Sequence, residues 1–170
     1  MLQLKEANLV DWEKEYLFTR DIPAEENSYI NEWHGIRRDD FVPVALKAMQ
    51  DSSRGQNLPE GYVPETFLYL WHGKEIVGQF RIRHHLTDAL RMGAGHVGYY
   101  IHPEYRGMGY ATRGLRLVLD WCRDVVPEEE IYLRVDKDNP ASLRVMQKCG
   151  GQLHAEDENK YYVRISKGQK

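Results

Sequence analysis

Residues 96–111, HVGYYIHPEYRGMGYA, constrain this chain more than any other stretch. An apolar run passes through a proline turn into a short Gly-rich loop led by Arg106, and from there directly into an amphipathic helix. A strand, a glycine loop and a helix N-terminus in that order turn backbone amides and the positive end of the helix dipole toward one point. Gly107 and Gly109 allow the backbone to approach whatever sits there. The stretch reads as the binding site for a phosphorylated ligand.

The rest of the chain supplies ordinary material for a fold around that site. At 170 residues it suits a single domain over residues 1–170, large enough to bury a core. With 42% hydrophobic and 29% charged residues and a net charge of -3, it has no global basic field for nucleic acid or anionic lipid. No apolar run approaches the roughly 18 residues of a membrane span, and the first residues lack a signal-peptide plan. Cys122 and Cys149 form neither a disulfide framework nor a metal-binding spacing, so both are expected to be reduced thiols in a cytoplasmic protein.

In chain order, residues 1–4 read as a first strand. Asn8 reads as the cap of a helix through Phe18, with Leu9, Trp12, Tyr16 and Leu17 on its buried face. A second helix is expected over residues 25–33 and a third from Asp39 or Asp40 through Met49. Residues 51–64 are rich in Ser, Gly, Asn and Pro and read as a surface loop. Two apolar runs around Gly73-Lys74, residues 66–72 and 75–85, predict a hairpin. After the glycine loop, Ala111, Leu115, Val118, Leu119, Cys122 and Val125 fall on one helical stripe. A strand over residues 131–135, a helix capped by Asn139 with Pro140 at its first position, and a final strand pair complete the pattern. The class is α/β or α+β, one sheet with helices covering its faces.

Residues 106–111 fit R/Q-x-x-G-x-G/A, and Asn139-Pro140-Ala141-Ser142 opens a helix roughly thirty residues later. With a strand before the loop and a strand before the asparagine, residues 67–165 resemble the GNAT superfamily of acetyl-CoA-dependent N-acyltransferases. The resemblance implies a mixed, mostly antiparallel central sheet flanked by helices. It implies acetyl-CoA as co-substrate, no metal, and transfer of acetyl to a primary amine of a small molecule or peptide by direct attack through a tetrahedral intermediate. The backbone of Arg106, Gly107, Met108, Gly109, Tyr110 and Ala111 would then cradle the CoA pyrophosphate. Ile101 and His102 would run beside the pantetheine arm, and Asn139 and Ser142 would hydrogen-bond near it. One of Arg113, Arg116 and Arg123 would meet the adenosine phosphates, unless all three are solvated helix charges.

The implied chemistry needs a neutral amine, yet an amine with a pKa of about 10.4 is mostly protonated near pH 7. Family members often use a glutamate on the fourth strand as base, and the matching residue here is His96. Its unperturbed pKa of about 6.5 suits that work; His84, His85, His102 and Glu104 compete with it. Many members place a tyrosine seven residues after the asparagine to protonate the leaving thiolate. Here Met146 stands there, leaving Cys149, Tyr161 and Tyr162 as substitutes. Gly151 likewise replaces an aromatic residue common after the helix. The acceptor pocket is expected among the N-terminal helices, Arg81, Arg83, His85 and the last hairpin, with Tyr29, Trp33, Tyr99 and Tyr100 as aromatic walls or core. Met146 also motivates an alternative, a non-catalytic acyl-CoA-binding sensor or interaction module. A nucleotide module of another fold is weaker, because no Walker lysine and no G-x-G-x-x-G are present. Monomer and homodimer are both compatible with the sequence.

Overall fold

The computed structural model describes residues 1–168. Strand β1 (Leu2–Glu6) leads to helix α1 (Trp12–Asp21), then to a small hairpin of β2 (Glu25–Glu26) and β3 (Tyr29–Ile30). A turn of helix α2 (Arg38–Asp40) continues through a π-helical segment, Phe41–Leu46, into α3 (Lys47–Ser53). Strands β4 (Glu65–His72) and β5 (Glu75–Arg83), helix α4 (Asp88–Met92) and strand β6 (Val97–Ile101) follow. The C-terminal part comprises α5 (Tyr110–Val125), β7 (Glu130–Asp136), α6 (Pro140–Lys148), β8 (Gln152–Glu156) and β9 (Lys160–Ser166).

Every strand pairing among the described residues is antiparallel. One sheet has the order β1-β4-β5-β6 and a second the order β7-β9-β8. They meet where His96 N–H donates to the Tyr132 carbonyl at 2.8 Å, just before β6 begins. Beyond that point no ladder joins β6 to β7 among the described residues, so a gap opens between them.

Helices cover both faces of β4, which is why its residues 65–71 are all buried. Leu68 and Leu70 join Phe80, Ile82, Leu115, Val118, Cys122 and Met146 in the core under α5 and α6. Phe67, Tyr69 and Trp71 point the other way, onto Tyr16, Phe41, Leu46 and Met49. Leu115 and Val118 are fully buried, each contributing about 1.5–3 kcal/mol relative to exposure.

The N-terminal third departs from its sequence pattern. Residues 25–33 form no helix; Asn27 and Ser28 take positive φ and make the tip of the β2–β3 hairpin. Asn31 fixes the chain after it, its side-chain amide donating to the carbonyls of Thr19 and Ile22. Asn8 does not cap α1 directly. Its side-chain oxygen accepts from the Val10 and Asp11 N–H groups, making a turn one step earlier. Leu9 and Val10 are exposed, and the buried face of α1 is Glu15, Tyr16 and Thr19. Glu15 reaches back to Asn8, accepting from its backbone N–H and its side-chain amide, while burial raises its carboxyl to about 8. No helix of the described residues is long and apolar enough to cross a membrane.

Candidate functional site

The loop after β6 has the geometry its glycines promise. A 3₁₀ turn at Pro103–Tyr105 precedes Gly107 at φ 76° and Gly109 at φ 78°, both in the left-handed region that disfavours a side chain. A Cβ at either position would meet nothing within 4 Å, so backbone conformation, not crowding, selects glycine, and open space faces the loop. Gly109 occupies the N-cap of the 16-residue helix α5, and no side chain caps that end. Its first-turn amides and dipole are therefore left for an anion. Met108 is exposed, Ala111 is half-buried, and Tyr110 turns inward to bond His72 through its hydroxyl at 2.9 Å.

Beside the loop, β6 offers an unpaired edge. Arg83 N–H donates to the His96 carbonyl and His102 N–H to the Val77 carbonyl, so even-numbered residues face β5. Alternation leaves the backbone groups of Val97, Tyr99 and Ile101 on the side of the gap. His102 thus has its N–H committed to β5, whereas Ile101 presents its carbonyl, which accepts from Arg106 Nε at 2.9 Å. Across the gap lies the start of α6. Asn139 caps it, accepting from Ser142 N–H at 3.3 Å, with Pro140 in the first turn. The Ser142 hydroxyl meets the Tyr99 hydroxyl in a short hydrogen bond.

His96 sits in surroundings unlike those of a general base. Its side chain is fully buried. Nδ1 accepts from Tyr132 N–H at 2.9 Å, which fixes the proton on Nε2, and Nε2 lies 3.1 Å from a Glu128 carboxylate oxygen. Burial lowers its pKa, and Glu128 offsets this only in part. Burial opposes the charge on Glu128 too, but the Leu86 N–H and His96 outweigh it and hold that carboxyl below its usual range. With no exposed surface and both nitrogens occupied within the protein, His96 is a tie between the two sheets. Its burial and its two bonds argue against the base role expected of it.

Among the competitors, His84 and His102 are engaged within the protein, whereas His85 and Glu104 are exposed. His84 bonds Thr66 through Nε2, and burial lowers its pKa. His102 Nδ1 accepts from Glu104 N–H. Arg81 is clamped by Glu65 through two bonds and by Glu32, and Arg83 donates to the Gly95 carbonyl, so neither is a free cation for an acidic acceptor. Arg113 lies over Tyr110 and folds back to the loop carbonyls, Arg116 contacts the Lys148 carbonyl, and Arg123 pairs with Asp120. Met146 is buried in the core.

On the α1 side of β6, the β2–β3 hairpin lies across Gly98. The Tyr29 ring stands 3.7 Å from where a Gly98 Cβ would be and packs near Tyr100. Tyr29 donates to the Gln79 side chain at 2.6 Å, and the buried Gln79 Nε2 has no partner among the described residues. The hairpin is fastened at both ends, by Glu26 to Arg106 and by Ser28 to Asp136, which also pairs with Lys160. A cleft of about 470 Å³ lies at its tip, lined by Glu25, Asn27, Ser28, Asp136, Lys137, Asp138, Glu158 and Asn159. Of the expected aromatic walls, Tyr29 and Tyr100 lie on this side. Trp33 packs on Phe67, and Tyr99 belongs to the opposite face.

Sequence reasoning passed over Gly95, Glu26 and Glu128. Gly95 has φ 67°, and a Cβ there would lie 2.3 Å from the Tyr132 carbonyl oxygen. Its position in a Gly-Ala-Gly run was the available signal; the two carboxylates had none, because their partners lie far away in sequence.

A family model for the acetyltransferase (GNAT) domain matches residues 18–152. The spermidine N(1)-acetyltransferase of Escherichia coli K12 is 33% identical over 63 residues, a match spanning 37% of this chain and 34% of that protein. Among solved structures, the spermidine N-acetyltransferase from Vibrio cholerae in complex with CoA and spermine superposes with a TM-score of 0.63 at 16% identity, covering 98% of this chain and 95% of that one. Campylobacter jejuni N-acetyltransferase PseH in complex with acetyl coenzyme A gives a TM-score of 0.59 at 18% identity, covering 99% and 100%. At these identities the structural likeness establishes a shared fold.

Proposed function

Because this chain belongs to the GNAT acetyltransferase family, we propose that it transfers acetyl from acetyl-CoA to a primary amine of a small molecule. One observation carries the reading: an uncapped helix N-terminus behind two left-handed glycines, opening onto free space beside an unpaired strand edge. Those features fit a pyrophosphate followed by an extended, amide-bearing arm. The amides of residues 107–111 would hold the diphosphate, and the β6 edge and the Asn139 end of α6 would hold the arm. The thioester supplies an activated acetyl carbon with a good leaving group.

The acceptor enters from the hairpin side, between Tyr29, Gln79 and the cleft at the hairpin tip. The buried, unpartnered Gln79 Nε2 supports a polar contact there. The spermidine acetyltransferases among the relatives support an amine as acceptor. With His96 sealed, the amine loses its proton to water rather than to an imidazole, and the rate rises with pH without levelling near 6.5.

Thiol release from acetyl-CoA with a panel of mono-, di- and polyamines tests the proposal. Turnover with at least one amine is expected. Saturable CoA binding without turnover would favour the second reading, an acyl-CoA-binding module, which the burial of both His96 and Met146 supports.

A further inference from the structure

Two hydroxyl groups meet across the gap between β6 and α6, and together they hold one hydrogen more than they use. Tyr99 leans toward the α5–α6 side with its ring stacked on Phe80, centroids 5.3 Å apart, and its hydroxyl bonds Ser142 in the first turn of α6. Neither hydroxyl has another hydrogen-bond partner among the described residues. One hydrogen bond between two hydroxyls leaves one O–H to point elsewhere. Ser142 stands four residues before Met146, hence on the same helix face. Met146 is 2% exposed, and its thioether cannot donate.

Two of the other candidates for that role, Tyr162 and Cys149, have their hydrogens committed elsewhere. Tyr162 donates to Asp157, Cys149 to the Thr112 carbonyl, and Tyr161 lies under Lys137. Tyr99 reaches the same helix face from the strand opposite.

We propose that Tyr99 donates a hydrogen bond to the sulfur of bound coenzyme A, with Ser142 donating in turn to the phenolic oxygen. This rests on the acyl-carrier reading above. The phenol is the donor because it is the more acidic of the two hydroxyls. It stabilises the departing thiolate without giving up its proton: burial, only partly offset by Ser142, pushes its pKa up to about 12, well above the roughly 8.5 of a thiol. When the carbon–sulfur bond breaks, the electron pair stays on sulfur, and solvent protonates the thiolate afterwards. Tyr99 thereby takes over from a different element the work a tyrosine at the Met146 position would do.

The test is the titration of the bound CoA thiol, followed by thiolate ultraviolet absorbance as a difference against the desulfo-CoA complex. In the unaltered protein the thiol should titrate about one unit below free CoA, roughly a tenfold gain in thiolate. Tyr99→Phe, which keeps the ring stack, should return it to the free value while leaving desulfo-CoA affinity unchanged. Ser142→Ala should give a smaller rise. A thiol titration that Tyr99→Phe does not move, or one that moves only in Ser142→Ala, overturns the assignment to Tyr99. So does a Tyr99→Phe protein that loses desulfo-CoA as well. An unaltered protein that binds no CoA overturns the carrier reading itself.

Discussion

The two ends of β6 make a useful comparison, because each carries a glycine and a polar residue that read alike in sequence. At the Ile101 end, the glycines have nothing beyond them, and the helix amides that follow have no side-chain partner. At the start of the strand, Gly95 is pressed against the Tyr132 carbonyl, and His96 is held by Tyr132 and Glu128. One end is open, with its left-handed glycines facing free space; the other is closed and holds two sheets together. Residue type alone does not say which, since a left-handed glycine serves a close approach to a ligand or to the protein's own backbone equally well. The closed end fixes the point from which β6 and β7 part, and so makes the gap at the open end possible.

Five perturbations sharpen or break this contrast. The largest effect on stability is expected from Gly95→Ala, which adds backbone strain of about 1–2 kcal/mol to a carbonyl contact that side-chain motion cannot relieve. A loss of about 3 kcal/mol in urea unfolding is expected; a loss under about 1 kcal/mol would mean the junction yields easily. Gly109→Val at the open end should leave a folded protein only about 1–2 kcal/mol less stable, yet weaken CoA binding in calorimetry about 100-fold, or about 2.7 kcal/mol. Unchanged affinity would place the carrier elsewhere.

The third concerns pH. The folded pKa of His96 lies below its ordinary 6.5, so between those values the unfolded chain binds a proton that the folded chain refuses. Its contribution is therefore present above pH 6.5 and lost as pH falls toward the folded value. NMR titration should show His96 taking up its proton below pH 6.5, and a normal midpoint there would contradict the tie. Burial of Glu15 works oppositely. Its folded pKa of about 8 against 4.5 means stability is present below 4.5 and lost as pH rises through 8, a slope that Glu15→Gln should flatten. The smallest effect belongs to Glu26→Gln on the hairpin. Its partly exposed pair with Arg106 is worth under about 1 kcal/mol, so thermal stability should hardly change while the hairpin loosens in hydrogen exchange.

What was legible followed from local rules. The β4–β5 hairpin, the helix after the glycine loop and the Asn139 cap each depend on residues a few positions apart, and the structure has all three. The hairpin at residues 25–30 was misread because its reason is remote: Tyr29 is needed over Gly98 and beside Gln79. The face of α1 holds at Trp12 and Tyr16 but was misread beside them, because Glu15 and Thr19 are buried by contacts with Asn8 and Tyr69, while apolar Leu9 and Leu17 stay exposed. Within the candidate site, the left-handed glycines 107 and 109 and the Asn139 cap follow local pattern, whereas the bond between Tyr99 and Ser142 depends on residues 43 positions apart.

The sequence by itself determined the order of strand, glycine loop and helix, and with it an uncapped helix terminus behind two left-handed glycines, because positive φ and a free helix terminus are properties of a few adjacent residues. Tertiary structure alone decided which polar side chains remain available for chemistry. Availability depends on partners brought from 30 or more positions away, Glu128 and Tyr132 for His96 and Ser142 for Tyr99. A histidine in a promising strand was closed off by that assembly, and a tyrosine three residues later was brought to the gap.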